Sequence, residues 1–404
     1  MILESEKRIK AVLAGRQLDA RQKMKKIEDI FEETCEKNHP DAEVLTIIQG
    51  VGTIPREQSG REIIYDKNSL ASYKFVKKGD FIIHLRSFEG GLEVANSDGI
   101  VSPAYIILHP KIEVSTIYLY ALFHTNRFIN QTMAPAVEGA RDGRSVKYDV
   151  LKKQKIPFPP FSEQKKIAEI LATQDRVIEL KEQLIAEKQS QKKWFIQLMT
   201  TGKKRLPNFN GKWTKISLSS VADIVTDCIN PSDFQNEKFE VYSLPAFDNG
   251  KEPEILQGSE ISTSKFLIRK DMVLFNKLNV RQKRVWLVSG DSEYKTISST
   301  EFLPIVAKDI DNVFLTYLLL NDSITSYLKK KSSGTSNSQK RILPKDLMAM
   351  KVKVPSLPEQ KAIAEVLSAA DEEISLLQKD LEQERLKKKS LMQLLLTGLV
   401  RVKV

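Results

Sequence analysis

The chain has 404 residues, 41% hydrophobic and 28% charged, with a formal net charge of +11. That length suits two or three globular domains, and the charge points to a polyanionic partner. No apolar run approaches the roughly 20 residues needed to span a bilayer. The N-terminus lacks a signal-peptide core, so an intracellular, cytoplasmic protein with no membrane partner is expected. Cys35 and Cys228 are far apart and fit no metal spacing.

Taken in chain order, residues 4–37 are rich in helix formers with a periodic apolar face, and a helix is expected there, weakened by Gly15. It shows no counterpart later in the chain. Residues 38–157 alternate strand-like runs with Gly, Asn, Asp and Ser turns. The run YKFVKKGDFIIHLRS, residues 73–87, reads as strand, turn, strand, and a short helix is expected near residues 115–130. His84 sits inside an apolar strand run and reads as a partly buried, hydrogen-bonded side chain.

Residues 158–206 then open with prolines and the stretch FSEQKKIAEILATQD. Pro159 and Pro160 fix φ ahead of a helix start. Ser162 suits an N-cap and Glu163 the first turn, where the helix dipole favours an acid. A narrow apolar seam follows at Ile167, Leu171, Ile178, Ile185, Phe195 and Met199, with Gly202 as the C-cap.

Residues 207–355 return to mixed strand and turn patterning. SKFLIRKDMVLFNKLN, residues 264–279, has the frame of residues 73–87, with Phe266 in the place of Phe75 and Asp271 in that of Asp80. Residues 356–404 then repeat the helix. LPEQKAIAEVLSAAD carries a cleaner seam at Ile363, Leu367, Ile374, Leu377, Leu381, Leu391 and Leu395, and Gly398 closes it.

The two helix segments match at a gapless offset of 196 residues. Between residues 156–202 and 352–398, 17 of 47 paired positions are identical. An internal duplication explains this. Both helices share one heptad phase, so they can pair with each other, antiparallel if two equivalent domains are related by a pseudo-two-fold axis. The alternative is that each packs only on its own domain. At 1.5 Å per residue such a helix extends about 50 Å. The expected fold class is α+β: two mixed globular domains separated by two long helices.

The charge is unevenly placed. Residues 162–202 carry net +1 and residues 358–404 carry zero, leaving +10 elsewhere. In the first domain the basic candidates are Arg56, Arg61, Lys67, Lys77, Lys78 and Arg86, then Arg141, Arg144 and Lys147 in the loop GARDGRSVKYD. In the second they are Lys277, Arg281, Lys283 and Arg284, then Lys330, Lys331, Lys340 and Arg341 around the Ser-rich LKKKSSGTSNSQKR. Lys and Arg neutralise phosphates, and Arg also makes paired hydrogen bonds to base edges.

Chemistry of other kinds leaves no mark. TTGKK lacks the first glycine of a phosphate loop, since Gln197 stands in its place. FPPF lacks the Asn or Asp that opens the motif of amino-methylating DNA enzymes. The four histidines make no ligand spacing. No Gly-rich cofactor loop and no nucleophile motif is present, so no cofactor, no metal and no catalytic residue is expected.

The twofold start E-Q-K-x-I-A-E-[IV]-L, the long helix and the end Q-L-[ML]-[TL]-T-G resemble the DNA-specificity subunit of type I restriction–modification systems. The resemblance runs from about residue 40 to the end. It implies two target recognition domains, at about 40–155 and 210–350, each reading one half of a split double-stranded DNA target through the major groove. It implies an antiparallel coiled coil that spaces them. Two methyltransferase subunits and the restriction/translocase subunits are the implied partners, and catalysis would be theirs. The extra helix at residues 4–37 departs from the commonest arrangement. Drift between the two domains implies an asymmetric bipartite target. A non-catalytic coiled-coil interaction scaffold that ignores DNA is the competing reading.

Overall fold

Two helices dominate the secondary structure, and their ends follow from local chemistry. In the computed structural model, which describes residues 23–60, 67–139, 144–334 and 339–403, they span Phe161–Met199 and Leu357–Leu396. Each starts just after its prolines. Ser162 lies inside the first turn rather than capping it, since the Gln164 N–H already donates to the Pro160 carbonyl at 3.0 Å. Each ends at a glycine in the left-handed region, with φ of 73° at both Gly202 and Gly398. The chain behind folds back in both cases, from the Lys204 N–H to the Leu198 carbonyl and from the Val400 N–H to the Leu394 carbonyl.

The fold divides into two compact units, residues 1–181 with 380–404, and residues 182–379. Each unit therefore takes half of each long helix. In the first unit the strands are β1 Met24–Lys26, β2 Phe31–Thr34, β3 Leu45–Ile48, β4 Gly52–Pro55, β5 Lys74–Val76, β6 Phe81–Ile83, β7 Glu93–Val94, β8 Gly99–Val101, β9 Ile106–Pro110, β10 Val137–Glu138, β11 Ser145–Val146 and β12 Lys155–Pro157. An antiparallel sheet of order β2-β9-β6-β7 forms the base, with β1 paired to β12, β3 to β4, β5 to β8 and β10 to β11. Helix α1, Thr116–Phe123, packs on the sheet. Phe31, Phe81 and Phe123 meet there, with ring centroids 5.1 to 6.1 Å apart. The long helix α2, Phe161–Met199, adds Ile167 and Leu171 to the same core.

The second unit repeats this plan. Its strands are β13 Thr214–Ser217, β14 Ala222–Ile224, β15 Cys228–Ile229, β16 Lys238–Tyr242, β17 Glu254–Gln257, β18 Lys265–Leu267, β19 Val273–Asn276, β20 Val285–Leu287, β21 Lys295–Ser299, β22 Phe302–Ala307 and β23 Lys351–Val354. The sheet β14-β22-β19-β20 matches β2-β9-β6-β7, and the pair β13–β23 matches β1–β12. A five-stranded sheet, β15-β18-β21-β16-β17, takes the place of the separate β5–β8 and β3–β4 pairs. Its one parallel pair, β16 with β21, corresponds to a single parallel bridge between Val44 and Ile100 in the first unit. Helices α3, Asn312–Leu319, and α4, Asp322–Lys331, follow, and then α5, Leu357–Leu396.

The strand-turn-strand expectations hold at β5–β6 and at β18–β19. The helix expected at residues 4–37 does not hold over its described part. Residues 4–22 lie outside the described residues, and beyond them come β1, one helical turn at Ile27–Ile30, and β2. Ile27, Ile30 and Phe31 are buried in the sheet core. Pairing with β12 and β9 outweighs local helix propensity here. The segment also has a counterpart, in β13 and β14.

Within each unit the long helices pack antiparallel. In the first, Asp175 pairs with Lys388 and Lys181 with Asp380. In the second, Lys188 pairs with Glu373 at 2.5 Å and Lys192 with Asp371. The order along one helix is reversed along the other. Ile185, Ile374 and Leu381 are buried, and Ile178, Phe195, Leu377 and Leu391 are half-buried. The seam's ends pack into the domains as well. Ile167, Leu171 and Leu395 join the first unit's core, and Met199, Ile363 and Leu367 the second's. Both arrangements weighed from the sequence are therefore present in one helix.

Candidate nucleic-acid interface

The basic candidates stand on loops that the sheets hold at defined points. In the first unit, Lys77 and Lys78 occupy a tight turn between β5 and β6. Gly79 supplies the positive φ of 93°. Buried Asp80 accepts the Lys77 N–H at 2.8 Å, and Asp98 accepts the Lys78 N–H at 2.7 Å. The backbone is tied down while both ammonium groups face solvent. Arg86 is exposed at the start of the turn Ser87–Gly90. The segment after residue 143 packs on that turn. Arg144 lies 4.4 Å over the Phe88 ring and 3.8 Å from Glu89. Lys147 is 3.7 Å from Glu138. Arg56 is half-buried, 5.7 Å over the Tyr73 ring. Arg61 and Arg141 lie outside the described residues, as does the side chain of Lys67.

A buried polar network stands behind this surface. The Glu93 carboxylate is fully buried. It accepts from the Gly50 N–H at 2.7 Å and the Tyr120 hydroxyl at 3.3 Å, and it lies 3.1 Å from His124 Nε2. His124 Nδ1 faces the Tyr120 carbonyl at 2.8 Å. Both imidazole nitrogens thus face acceptors, which favours the doubly protonated ring. Burial pushes the His124 pKa down, but the hydrogen bonds to Glu93 and the Tyr120 carbonyl outweigh it and leave it raised. Burial likewise opposes ionisation of Glu93, and its bonds to His124 and Gly50 leave its pKa lowered. Burial holds the nearby His84 below its usual pKa. The network anchors the tip of the β3–β4 hairpin through Gly50.

In the second unit the two basic loops meet. The Asn279 N–H donates to the Lys340 carbonyl at 2.7 Å, and the Ile342 N–H to the Lys277 carbonyl at 3.1 Å. A cavity of about 70 Å³ between them is lined by Arg281, Lys329 and Lys340 with Asn279, Val280 and Ser332, and no acid. Lys330 and Lys331 do not lie in a loop as their Ser-rich surroundings suggest. They are exposed on the last turn of α4. Lys329 was not singled out by sequence, because helix α4 is what turns it toward Arg281 and Lys340.

Three other candidates are tied to acids of the fold. Arg284 makes a bidentate pair with Asp248 at 2.7 and 2.6 Å, and its side chain is only 12% exposed. Lys283 pairs with Asp322 and donates to the Leu320 carbonyl at 2.8 Å. Arg341 pairs with Glu301 at 2.9 Å while half-exposed.

The repeated motif turns out to be a clamp. Gln164 is fully buried, and its amide accepts the Ser115 N–H at 3.0 Å and donates to the Pro159 carbonyl at 2.9 Å. Gln360 does the same with Asp311 at 2.8 Å and Pro355 at 3.0 Å. Each ties the start of a long helix to the N-cap of the domain helix, α1 or α3. Buried Glu163 and Glu359 accept paired bonds from Arg401, at 2.6 and 2.5 Å, and from Arg205, at 2.9 and 2.7 Å. Sequence alone assigns these acids only a dipole role. The 196-residue offset between Arg205 and Arg401 was the available signal, and it lies just beyond the helix motif.

Among the described residues no cluster of three His, Cys, Asp or Glu side chains could hold a metal, and no helix is long and apolar enough to cross a membrane. Cys35 and Cys228 are free and exposed.

Comparison with known proteins fits this twofold plan. The chain is 28% identical over 370 residues to the type I restriction enzyme MjaVIII specificity subunit of Methanocaldococcus jannaschii, covering 84% of this chain and 85% of that one. Among solved structures, the HsdS subunit from Thermoanaerobacter tengcongensis superposes with a TM-score of 0.54 at 17% identity, over 95% of this chain and 98% of that one. A chain from a structural study of complex assembly and conformational transition in the type I R-M system gives 0.58 at 18% identity, over 94% and 98%. Residues 21–188 and 210–385 each match the family described as the type I restriction modification DNA specificity domain. With both repeats matched, the chain belongs to the type I restriction modification DNA specificity family.

Proposed function

We propose that each unit reads one half of an asymmetric, bipartite double-stranded DNA target, and that the paired helices carry the docking of two methyltransferase subunits and of the restriction subunits. The chain itself is a specificity subunit and not an enzyme, so methyl transfer and cleavage belong to those partners, and the assembly works in the cytoplasm. The observation that carries the reading is a contrast within the duplication. The sheet frame β2-β9-β6-β7 recurs as β14-β22-β19-β20, and the clamp recurs residue for residue, but the basic loops mounted on the two frames differ. Lys77, Lys78, Arg86 and Arg144 serve the first unit, and Lys277, Arg281, Lys330, Lys331 and Lys340 the second. Lys283, Arg284 and Arg341 act mainly by holding their loops in shape.

A module exchange tests this. Because β1 pairs with β12, the exchanged piece runs from residue 23 to residue 157, not from residue 40. In cells with the partner subunits, mapping of methylated motifs should show one half of the target changed and the other retained. An unchanged motif, in a folded exchange protein, rules the reading out. A scaffold that ignores DNA would show no salt-dependent retention on duplex DNA with partners present.

A further inference from the structure

A large cleft in the first unit lies away from the reading loops. It has a volume of about 900 Å³ and sits between the corner after α1 and the last turns of α5. Its cations are Arg127, Arg385, Lys388 and Lys389, joined by His124, and no aspartate or glutamate lines it. Asn130, Gln131 and Gln393 add amide donors and acceptors, and Met392 and Leu399 give it an apolar part. Lys388 is engaged with Asp175, and Arg385 lies 4.0 Å from Glu382. Arg127 and Lys389 are exposed.

In the second unit the corner is tied to the facing helix, and the cleft that remains there, of about 530 Å³, is lined by Thr200, Asn321, Ser323, Lys215, Lys351 and Lys353 and by none of Gln189, Lys192, Lys193 and Gln197. The Asn321 amide donates to Thr200 Oγ1 at 2.9 Å, and the Asp322 N–H donates to Gln197 Oε1 at 2.9 Å. The Asp322 carboxylate is taken by Lys283. At the matching positions the first unit has Thr125 and Asn126 against Leu396 and Gln393. Leu396 cannot accept a hydrogen bond, so the first of these ties cannot form. Arg127 replaces Ser323, and Arg385 replaces Gln189. The two units thus differ in what lines this face: the lysines at Lys388 and Lys389 recur as Lys192 and Lys193, but the two arginines and the cleft open to them belong to the first unit.

We propose that this cleft binds an acidic, partly apolar peptide segment of a partner protein, one segment per chain. A cleft lined by cations and by no carboxylate selects an anion, with Arg127 and Lys389 the exposed pair that meets it. The volume falls near the upper end of the 300–1,000 Å³ range of ligand clefts. It suits a short extended segment, whereas a duplex presents its phosphates on a broad convex surface. Met392 and Leu399 would stay uncovered under a phosphate backbone but can pack against Leu or Val side chains of a peptide. The amides can pair with the peptide's own backbone.

The test uses the full chain and a short fluorescein-labelled peptide with Glu pairs separated by Leu, followed by anisotropy at low salt. The expected result is saturable binding that falls about tenfold or more in the double variant Arg127→Glu with Lys389→Glu, since placing like charges opposite an acidic ligand costs over a kcal/mol. Lys193→Glu, at the position of the second unit equivalent to Lys389, should leave binding unchanged. Arg127→Gln, a milder change at an exposed site, should give a partial loss and carries the test if the double variant misfolds. Absence of saturable binding overturns the proposal, as does equal weakening by Lys193→Glu. Displacement of the peptide by a duplex of random sequence, with the same loss in the double variant, assigns the cleft to the DNA backbone instead and equally overturns it.

Discussion

Replacing Arg401 by alanine should unlock the first unit at the start of α2. The Arg401 guanidinium meets the Glu163 carboxylate through two bonds, and the Glu163 side chain is 3% exposed. Truncating one partner of a fully buried pair costs about 3–5 kcal/mol, because the other charge is left without compensation. Arg401 itself is 40% exposed, so water reaches that side and the cost falls to roughly 2 kcal/mol. For a unit of this size that lowers the unfolding midpoint by about 4–8 °C. Arg205→Ala in the second unit should cost less, because the Trp213 indole N–H still donates to Glu359, at 3.3 Å. Adding Glu163→Gln to Arg401→Ala replaces the stranded charge by a neutral amide and should recover part of the loss. The measurement is a double-mutant cycle by denaturant unfolding, with hydrogen exchange followed at the Ser115 amide, which Gln164 holds. A coupling below about 0.5 kcal/mol, or unchanged exchange at Ser115, would refute the clamp.

Gly202→Ala should cost about 1 kcal/mol through its positive φ alone, and more because a Cβ there would stand 3.2 Å from the Trp213 ring; thermal melts give the loss. Between pH 5.5 and 8.5 the first unit should lose stability as pH rises through the folded-state pKa of His124, since that pKa is raised and its contribution is complete only below the unfolded value near 6.5. His124→Gln should flatten that slope, and melts across the pH range would show it. The depressed Glu93 pKa acts at the other end, its contribution fading as pH falls below about 4.5. Lys77→Ala with Lys78→Ala should weaken binding to all duplexes alike and reduce the salt slope by about 0.9 for each phosphate no longer neutralised, whereas Arg284→Ala should lower stability more than it changes sequence preference; filter binding at several salt concentrations separates the two.

How much of this was readable in advance differs from element to element. The long helices were legible because their caps, seam and closing glycines are local signals written twice. Residues 73–87 and 264–279 were legible because strand and turn alternate within a few residues. Residues 23–37 misled. Met24, Ile27, Ile30 and Phe31 are spaced for a helix face, but β1 pairs with β12 more than a hundred residues away, and no local pattern records that. Comparison with residues 214–224 would have helped only with a gap allowed, since the 196-residue offset fails there. The basic residues show the same limit. Charge is visible at Arg284 and Lys283, but the acids that neutralise them, Asp248 and Asp322, lie 36 and 39 positions away.

The pairing pattern also explains why the helices have kept one sequence while the domains drifted. Asp175 meets Lys388 in one unit, and Asp371 meets Lys192 in the other. Adding 196 to the first acid and subtracting 196 from its lysine gives the second pair. Glu163 with Arg401 and Glu359 with Arg205 obey the same rule, whereas the contacts of Gln164 with Ser115 and of Gln360 with Asp311 stay within one copy and simply shift together by 196. Antiparallel packing of two copies makes each of these ion-paired positions answer to a complementary one on the other helix. A change on one helix disturbs a contact whose partner must change with it, and a buried acid such as Glu163 or Glu359 makes that cost large. An exposed loop residue such as Lys78 or Lys340 is under no such reciprocal rule. It can follow whatever the module touches, which is the physical condition for one frame to acquire two specificities.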